Sequence, residues 1–169
     1  MIQKEYLNCL VILLLFLGAC NNKNALKNES KIETNNRIRY EMIFPDTVII
    51  GKEYFGLINY NSSLDSVTTK FGVKGKNRYV RLIMTTTETV DYDYKYLKSI
   101  VKDTFGAYDN RTIDFLLKFK KLGTTYIDGL INDVVLIDLE EKNSNGEEMI
   151  RWIEDEVRVT KKVVVIDEE

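Results

Sequence analysis

Apolar residues recur at every second position along most of residues 37–166, a period that strands satisfy and helices do not. Arg37–Phe44 sets Ile38, Tyr40, Met42 and Phe44 on one face and Arg37, Arg39 and Glu41 on the other. Pro45-Asp46 breaks that segment, and Thr47–Ile50 is a short β-branched run closed by Gly51. Glu53–Tyr60 places Tyr54, Gly56, Ile58 and Tyr60 together, before a turn cluster at Asn61–Ser66. Val67–Val73 reads as a further strand ending in a glycine-rich turn. In Tyr79–Thr87, Val80, Leu82, Met84 and Thr86 alternate against Arg81, Ile83 and Thr85.

Ile113, Phe115, Leu117 and Phe119 define another strand, which runs to Gly123. Thr124–Leu139 continues the alternation, but Gly129 and Asn132-Asp133 interrupt it, which predicts a bulge, a bend or a tight hairpin. Asn143-Ser144-Asn145-Gly146 is the clearest hairpin turn in the chain. Met149–Ile153 and Val157–Ile166 supply the last strands, with Val163–Ile166 read as buried on both faces. Residues 90–105 carry two patterns at once. Val90, Tyr92, Tyr94 and Tyr96 alternate as in a strand, whereas Tyr94, Leu97, Val101 and Phe105 share a helical stripe. The helical pattern is preferred over about 93–104, with Asp93 as cap and Gly106 as stop. Short strands separated by turn signals predict a mainly β chain: an antiparallel Ig-like β-sandwich with one short helix.

Ahead of this domain, Leu7–Cys20 is an apolar run closed by two small residues and a cysteine. It is shorter than the ~20 apolar residues needed to cross a bilayer and fits a secretory leader. Its last four residues, Leu17-Gly18-Ala19-Cys20, resemble the lipobox of bacterial lipoproteins. The resemblance implies cleavage before Cys20 and a thioether-linked diacylglycerol on that cysteine, with Leu17, Gly18 and Ala19 as the recognition signal and palmitate-type chains as the anchor. Residues 1–19 are then a signal peptide, 20–36 the lipidated cysteine and a tether, and 37–169 the β-sandwich domain. The tether, rich in Asn, Lys, Glu and Ser, is too polar to fold alone. It reaches roughly 20–24 Å. No Asp follows Cys20, and Asn21–Asn24 holds no acidic residue; the resemblance to lipoproteins then implies an outer-membrane anchor facing the periplasm rather than the cell surface.

The segments Gly51–Tyr60 and Gly123–Asp133 look similar to strands of Ig-like sandwiches in Bacteroidota envelope proteins, including C-terminal domains of gliding and secretion components. That resemblance implies an Ig-like module of the envelope.

Missing residue types narrow the chemistry. The chain has no histidine, which removes the Ser-His-Asp and Cys-His arrangements, the usual zinc sites and the commonest general base. Its two cysteines are Cys9, which leaves with the leader, and Cys20, the lipid site; the exported domain has no thiol. It stands on its core, which a hydrophobic content of 44% supports. A net charge of −2 offers no basic patch for nucleic acid.

Asp91 and Asp93 lack the ligand spacing of a calcium loop and read as capping or solvated groups. Glu140-Glu141, Glu147-Glu148 and Glu154-Asp155-Glu156 cluster in turns as solvated edges rather than as a catalytic pair. The tyrosines mostly share faces with Ile and Val and read as core. Trp152 reads as a core-rim residue, with a partner anchor as the alternative. The expectation is a non-enzymatic binding or structural module without cofactor or metal, held at the membrane by Cys20. A lipid- or sugar-carrying lipoprotein with an enclosed β-cavity is the alternative.

Overall fold

The structure, a computed structural model, describes residues 37–168; Leu17, Gly18, Ala19, Cys20 and the tether lie outside them. Eight strands and one helix follow in order: β1 (Ile38–Ile43), β2 (Thr47–Ile49), β3 (Glu53–Ser62), β4 (Lys76–Thr87), α1 (Tyr94–Ile100), β5 (Asp103–Gly106), β6 (Thr112–Lys118), β7 (Gly123–Lys142) and β8 (Glu148–Ile166). One sheet has the order β1-β3-β6 and the other β2-β8-β7-β4-β5. With β2 counted as a split of the first strand, β3 to β8 are the second to seventh; the first, second and fifth then face the third, sixth and seventh as in the immunoglobulin arrangement, and the fourth, β5, lies at the edge beside the third. The pairing is antiparallel except for β2, which runs parallel to β8 at Thr47–Ile49. The expected sandwich with one short helix is therefore observed, with a three-residue parallel pair added.

The alternation explains the layers. Ile58 and Tyr60 from β3 and Ile113, Phe115 and Leu117 from β6 meet Val80, Leu82 and Met84 from β4, Ile127 and Ile131 from β7, and Val157, Val159 and Val163 from β8. Phe44 stacks on Phe115 with ring centroids 5.6 Å apart. Two glycines permit this packing. A methyl group on Gly56 would fall within the ring of Phe115, and one on Gly129 would strike the β4 backbone at Ile83 and Met84.

Several local expectations are corrected. Residues 67–75 form no strand; β3 runs on to Ser62, a 3-10 turn follows at Ser63–Ser66, and the Thr68 carbonyl accepts from Arg78. Thr124–Leu139 is not broken: β7 is one strand of 20 residues, about 65 Å long at the usual rise. Asn132 and Asp133 stay inside it because each has polar partners, described below. The bulge falls later, between Asp138 and Lys142, where Glu140 adopts φ 55°. β8 is likewise continuous, and its Val163–Ile166 run is buried on one face only, at Val163 and Val165. The helix stops at Ile100 rather than 104, because Lys102 turns to donate its N–H to Met84 and the chain enters β5; Gly106 is a strand residue. Asp93 caps as expected, its carboxylate accepting from Tyr96 N–H at 2.7 Å. At the rim of β4 the expected facing of the threonines fails: Thr86 is exposed and Thr85 buried.

At one end the core is closed by charge instead of hydrocarbon. Arg78 is fully buried and grips Asp133, also fully buried, through two bonds of 3.0 and 2.7 Å. Its third nitrogen reaches Asp65 at 2.8 Å, and Arg111 binds the same carboxylate from the other sheet. Burial opposes the charge on Arg78, but the carboxylates more than offset it and raise its pKa. Burial also opposes the charge on Asp65, yet Arg111 and Arg78 hold its pKa below the ordinary 3.8. The folded value being depressed, Asp65 stabilises the fold above pH 3.8 and that contribution is lost as pH falls through the folded value. Acid titration followed by circular dichroism should show a smaller loss of stability in Asp65→Asn than in the parent chain; equal losses would exclude this clamp as a source of acid sensitivity.

Candidate functional site

The outer face of the five-stranded sheet carries the most organised exposed groups among the described residues. Cross-strand register brings them together: Asn132 lies opposite Arg81 on β4 and Glu156 on β8, Val134 opposite Tyr79 and Glu154, and Leu136 opposite Trp152. Side chains two apart on a strand share a face, so Trp152, Glu154, Glu156 and Arg158 form one row along β8.

Hydrogen bonds tie this row into a network. Arg81 Nε donates to Asn132 Oδ1 at 3.0 Å, and Asn132 Nδ2 donates to both Glu154 and Glu156. Trp152 Nε1 donates to Glu154 Oε2 at 3.0 Å, which fixes the indole although the residue is 60% exposed. Glu156 also receives Lys98 and the Tyr94 hydroxyl from α1. Burial, and then the Glu156 charge, raise the Tyr94 pKa.

Farther along, Arg158 binds Asp128 bidentately at 3.0 and 2.6 Å and donates to the carbonyls of Tyr92 and Val90. The Tyr92 hydroxyl donates to the same carboxylate at 2.7 Å, and the guanidinium lies 5.1 Å from the Tyr92 ring centre. With Leu97 fully buried beneath α1, these contacts fasten the helix and the loop before it to the sheet.

Past this network the hairpin of β7 and β8 projects beyond β4, whose pairing with β7 ends at Ile137. Ile150 is 59% exposed there, with Leu139 and Met149 also exposed; beside it, on the outer face where β4 still pairs, Trp152 and Tyr79 are 60% and 56% exposed. Trp152 is thus not a core-rim residue. Its partner Leu136 is itself paired to Asn77 of β4, and the indole lies on the outer face of that sheet, away from the core, so the period-two pattern alone could not say which face met the core. The tyrosines divide: Tyr60 is core, its hydroxyl donating to the Asp109 carbonyl, while Tyr79, Tyr94, Tyr96 and Tyr108 are exposed.

The acidic groups singled out in the sequence separate in the same way. Glu140, Glu141, Glu147 and Glu148 lie exposed on the projecting hairpin, Glu154 and Glu156 join the outer network, and Asp155 turns inward. There it accepts from Arg37 at 3.0 Å and Ser63 at 2.6 Å. Asp91 shares a hydrogen bond with Thr89. Among the described residues no group of three or more His, Cys, Asp or Glu side chains is placed to hold a metal ion, and no helix is long and apolar enough to cross a membrane. The residues that sequence reasoning passed over are Arg81, Asp128, Asn132 and Arg158. Their one legible signal was the pair Asn132-Asp133 interrupting the apolar stretch from Leu130 to Ile137.

The chain matches no protein-family model and no curated protein. Among solved structures it is similar to the solution NMR structure of the CARDB domain of a Pyrococcus furiosus protein, at 18% identity and a TM-score of 0.35, over 78% of this chain and 96% of that one. The immunoglobulin-like arrangement stated above rests on the strand order and register of this chain, and a likeness at that level adds nothing about what it binds.

Proposed function

We propose that the chain is a non-enzymatic binding module of a bacterial cell envelope, anchored through lipid on Cys20 in the outer membrane and facing the periplasm. The observation that carries the binding half of this reading is Trp152: a large aromatic left in solvent, yet held by a hydrogen bond beside Glu154, Asn132 and Arg81. Rigid exposed aromatics beside satisfied polar groups are how interface anchors are built. The lack of histidine supports the non-enzymatic half, and Leu17-Gly18-Ala19-Cys20 supports the anchor. The small-ligand carrier is less well supported, because fully buried Ile58, Tyr60, Leu82, Met84 and Ile131 fill the space between the sheets.

Cross-linking in intact envelopes should capture a protein partner, and Trp152→Ala should lower that yield about tenfold, the size of a 1.4 kcal/mol anchor. A chain recovered only alone would sink the binding reading. Separately, radiolabelled palmitate should enter the parent chain and not Cys20→Ala; label in both, or in neither, removes the anchor from the proposal.

A further inference from the structure

We infer that the free edge of β8 from Glu148 to Glu154 accepts an extended, positively charged segment of a partner protein as an added strand. This rests on the reading of the chain as a binding module and assigns where it binds and what it recognises. Among the described residues, β8 is paired along one side by β7, and along the other only by β2 at Val164–Ile166. Arg37, leading into β1, reaches Asp155 and marks where the body of the sandwich meets that open side. Between this point and the turn at Asn143–Gly146, one side of the strand presents its main-chain N–H and C=O groups unpaired, the template used in strand addition.

Proteins guard such edges with charge, and Glu148, Arg151 and Glu154 fit that purpose. Met149, Ile150, Trp152 and Ile153 do not, and three of these four are exposed. A merely guarded edge would not interleave its charges with apolar anchors. The anchors lie on both faces of the strand, Ile150 and Trp152 outward, Met149 and Ile153 on the other side.

Charge then selects the occupant. From Asp138 to Glu154 the hairpin carries six carboxylates (Asp138, Glu140, Glu141, Glu147, Glu148 and Glu154) against Lys142 and Arg151. Among the described residues, none of the six is in an ion pair. A lysine or arginine on the added strand would sit over the Trp152 indole with Glu154 beside it, gaining both cation–π and ionic attraction. A second copy is a poor occupant. Antiparallel self-pairing over these residues sets Glu148 opposite Glu154 and Arg151 opposite Arg151, and like charges placed directly opposite destabilise a pair.

Trp152 is the single tryptophan of the chain, so its fluorescence reports on this edge directly. The test titrates the full chain in detergent with an alternating lysine–valine heptapeptide. Its controls are the matching glutamate–valine peptide and a lysine–valine peptide N-methylated along one edge, which keeps the charge but cannot donate main-chain hydrogen bonds. The expected result is saturable binding of the lysine peptide, weakened about tenfold or more by N-methylation, by glutamate in place of lysine, and by Glu154→Lys in the protein. No saturable binding, equal binding after N-methylation, or indifference to Glu154→Lys would each overturn the assignment. Circular dichroism of Glu154→Lys confirms that this exposed change leaves the fold intact. Envelope cross-linking that captures a partner while the titration is flat overturns the edge alone; the absence of any partner overturns the binding reading beneath it.

Discussion

Arg78→Met should lower the free energy of unfolding by about 3–5 kcal/mol, because it leaves the fully buried Asp133 carboxylate without its counter-charge. The magnitude follows from the asymmetry of buried ion pairs. Forming the pair is close to neutral, since desolvation and attraction nearly cancel, but removing one member exposes the whole desolvation cost of the other. The double change Arg78→Met with Asp133→Leu should therefore recover most of the loss, even though it restores none of the hydrogen bonds that the single one removes. Urea unfolding followed by circular dichroism is the suitable measurement, because Trp152 is too exposed to report on the core. A single variant costing under about 1 kcal/mol, or a double variant worse than the single, would show that the pair is not desolvated as described.

Phe115→Ala should cost a similar amount, about 3–5 kcal/mol, since the ring is buried against Phe44 and Phe105 and covers Gly56. Its neighbour gives the sharper test. In a strand, alanine is ordinarily preferred to glycine by roughly 0.5–1 kcal/mol. At Gly56, however, the added methyl must displace the Phe115 ring, so Gly56→Ala should destabilise by about 1–3 kcal/mol. In a Phe115→Leu background the ring is gone and the methyl has room. The cost of Gly56→Ala should then fall by about 1 kcal/mol or more, and the two sites are coupled by that difference. Additive effects would mean that the ring does not rest on Gly56.

Where the alternation is strict, the strands stand where it puts them. Arg37–Phe44, Glu53–Tyr60 and Ile113–Phe119 bury the faces expected, because each lies in a sheet with one face on the core and one in water. The pattern misleads where that condition fails. β7 is buried on both faces from Ile127 to Val135, so polar residues there look like breaks, although Arg78, Arg81 and Glu156 satisfy them from neighbouring strands. Trp152, opposite Leu136 and on the outer face of the five-stranded sheet, keeps a strand's alternation while facing solvent, because that face has no core against it. In residues 90–105 the helical stripe prevailed at Tyr94–Ile100, the alternation of Val90–Tyr96 forms no strand, and the short strand β5 that follows was marked by neither pattern. The choice lies in contacts that no local window contains, with Leu97 seated against the sheet and Lys102 bonded to Met84.

Residue type and period alone settled the mainly β class, the capping role of Asp93, the Asn143–Gly146 turn and the absence of histidine chemistry. These depend on one residue or on neighbours a few positions apart. Which carboxylate is buried and which is free was decided only in three dimensions. Glu154, Asp155 and Glu156 are consecutive, yet one borders an exposed tryptophan, one is sealed against Arg37 and Ser63, and one is held by α1. Alternation sends them to opposite faces. What waits on each face is supplied by segments about 22 to 118 positions away, and long-range pairing of that kind leaves no mark in the local sequence.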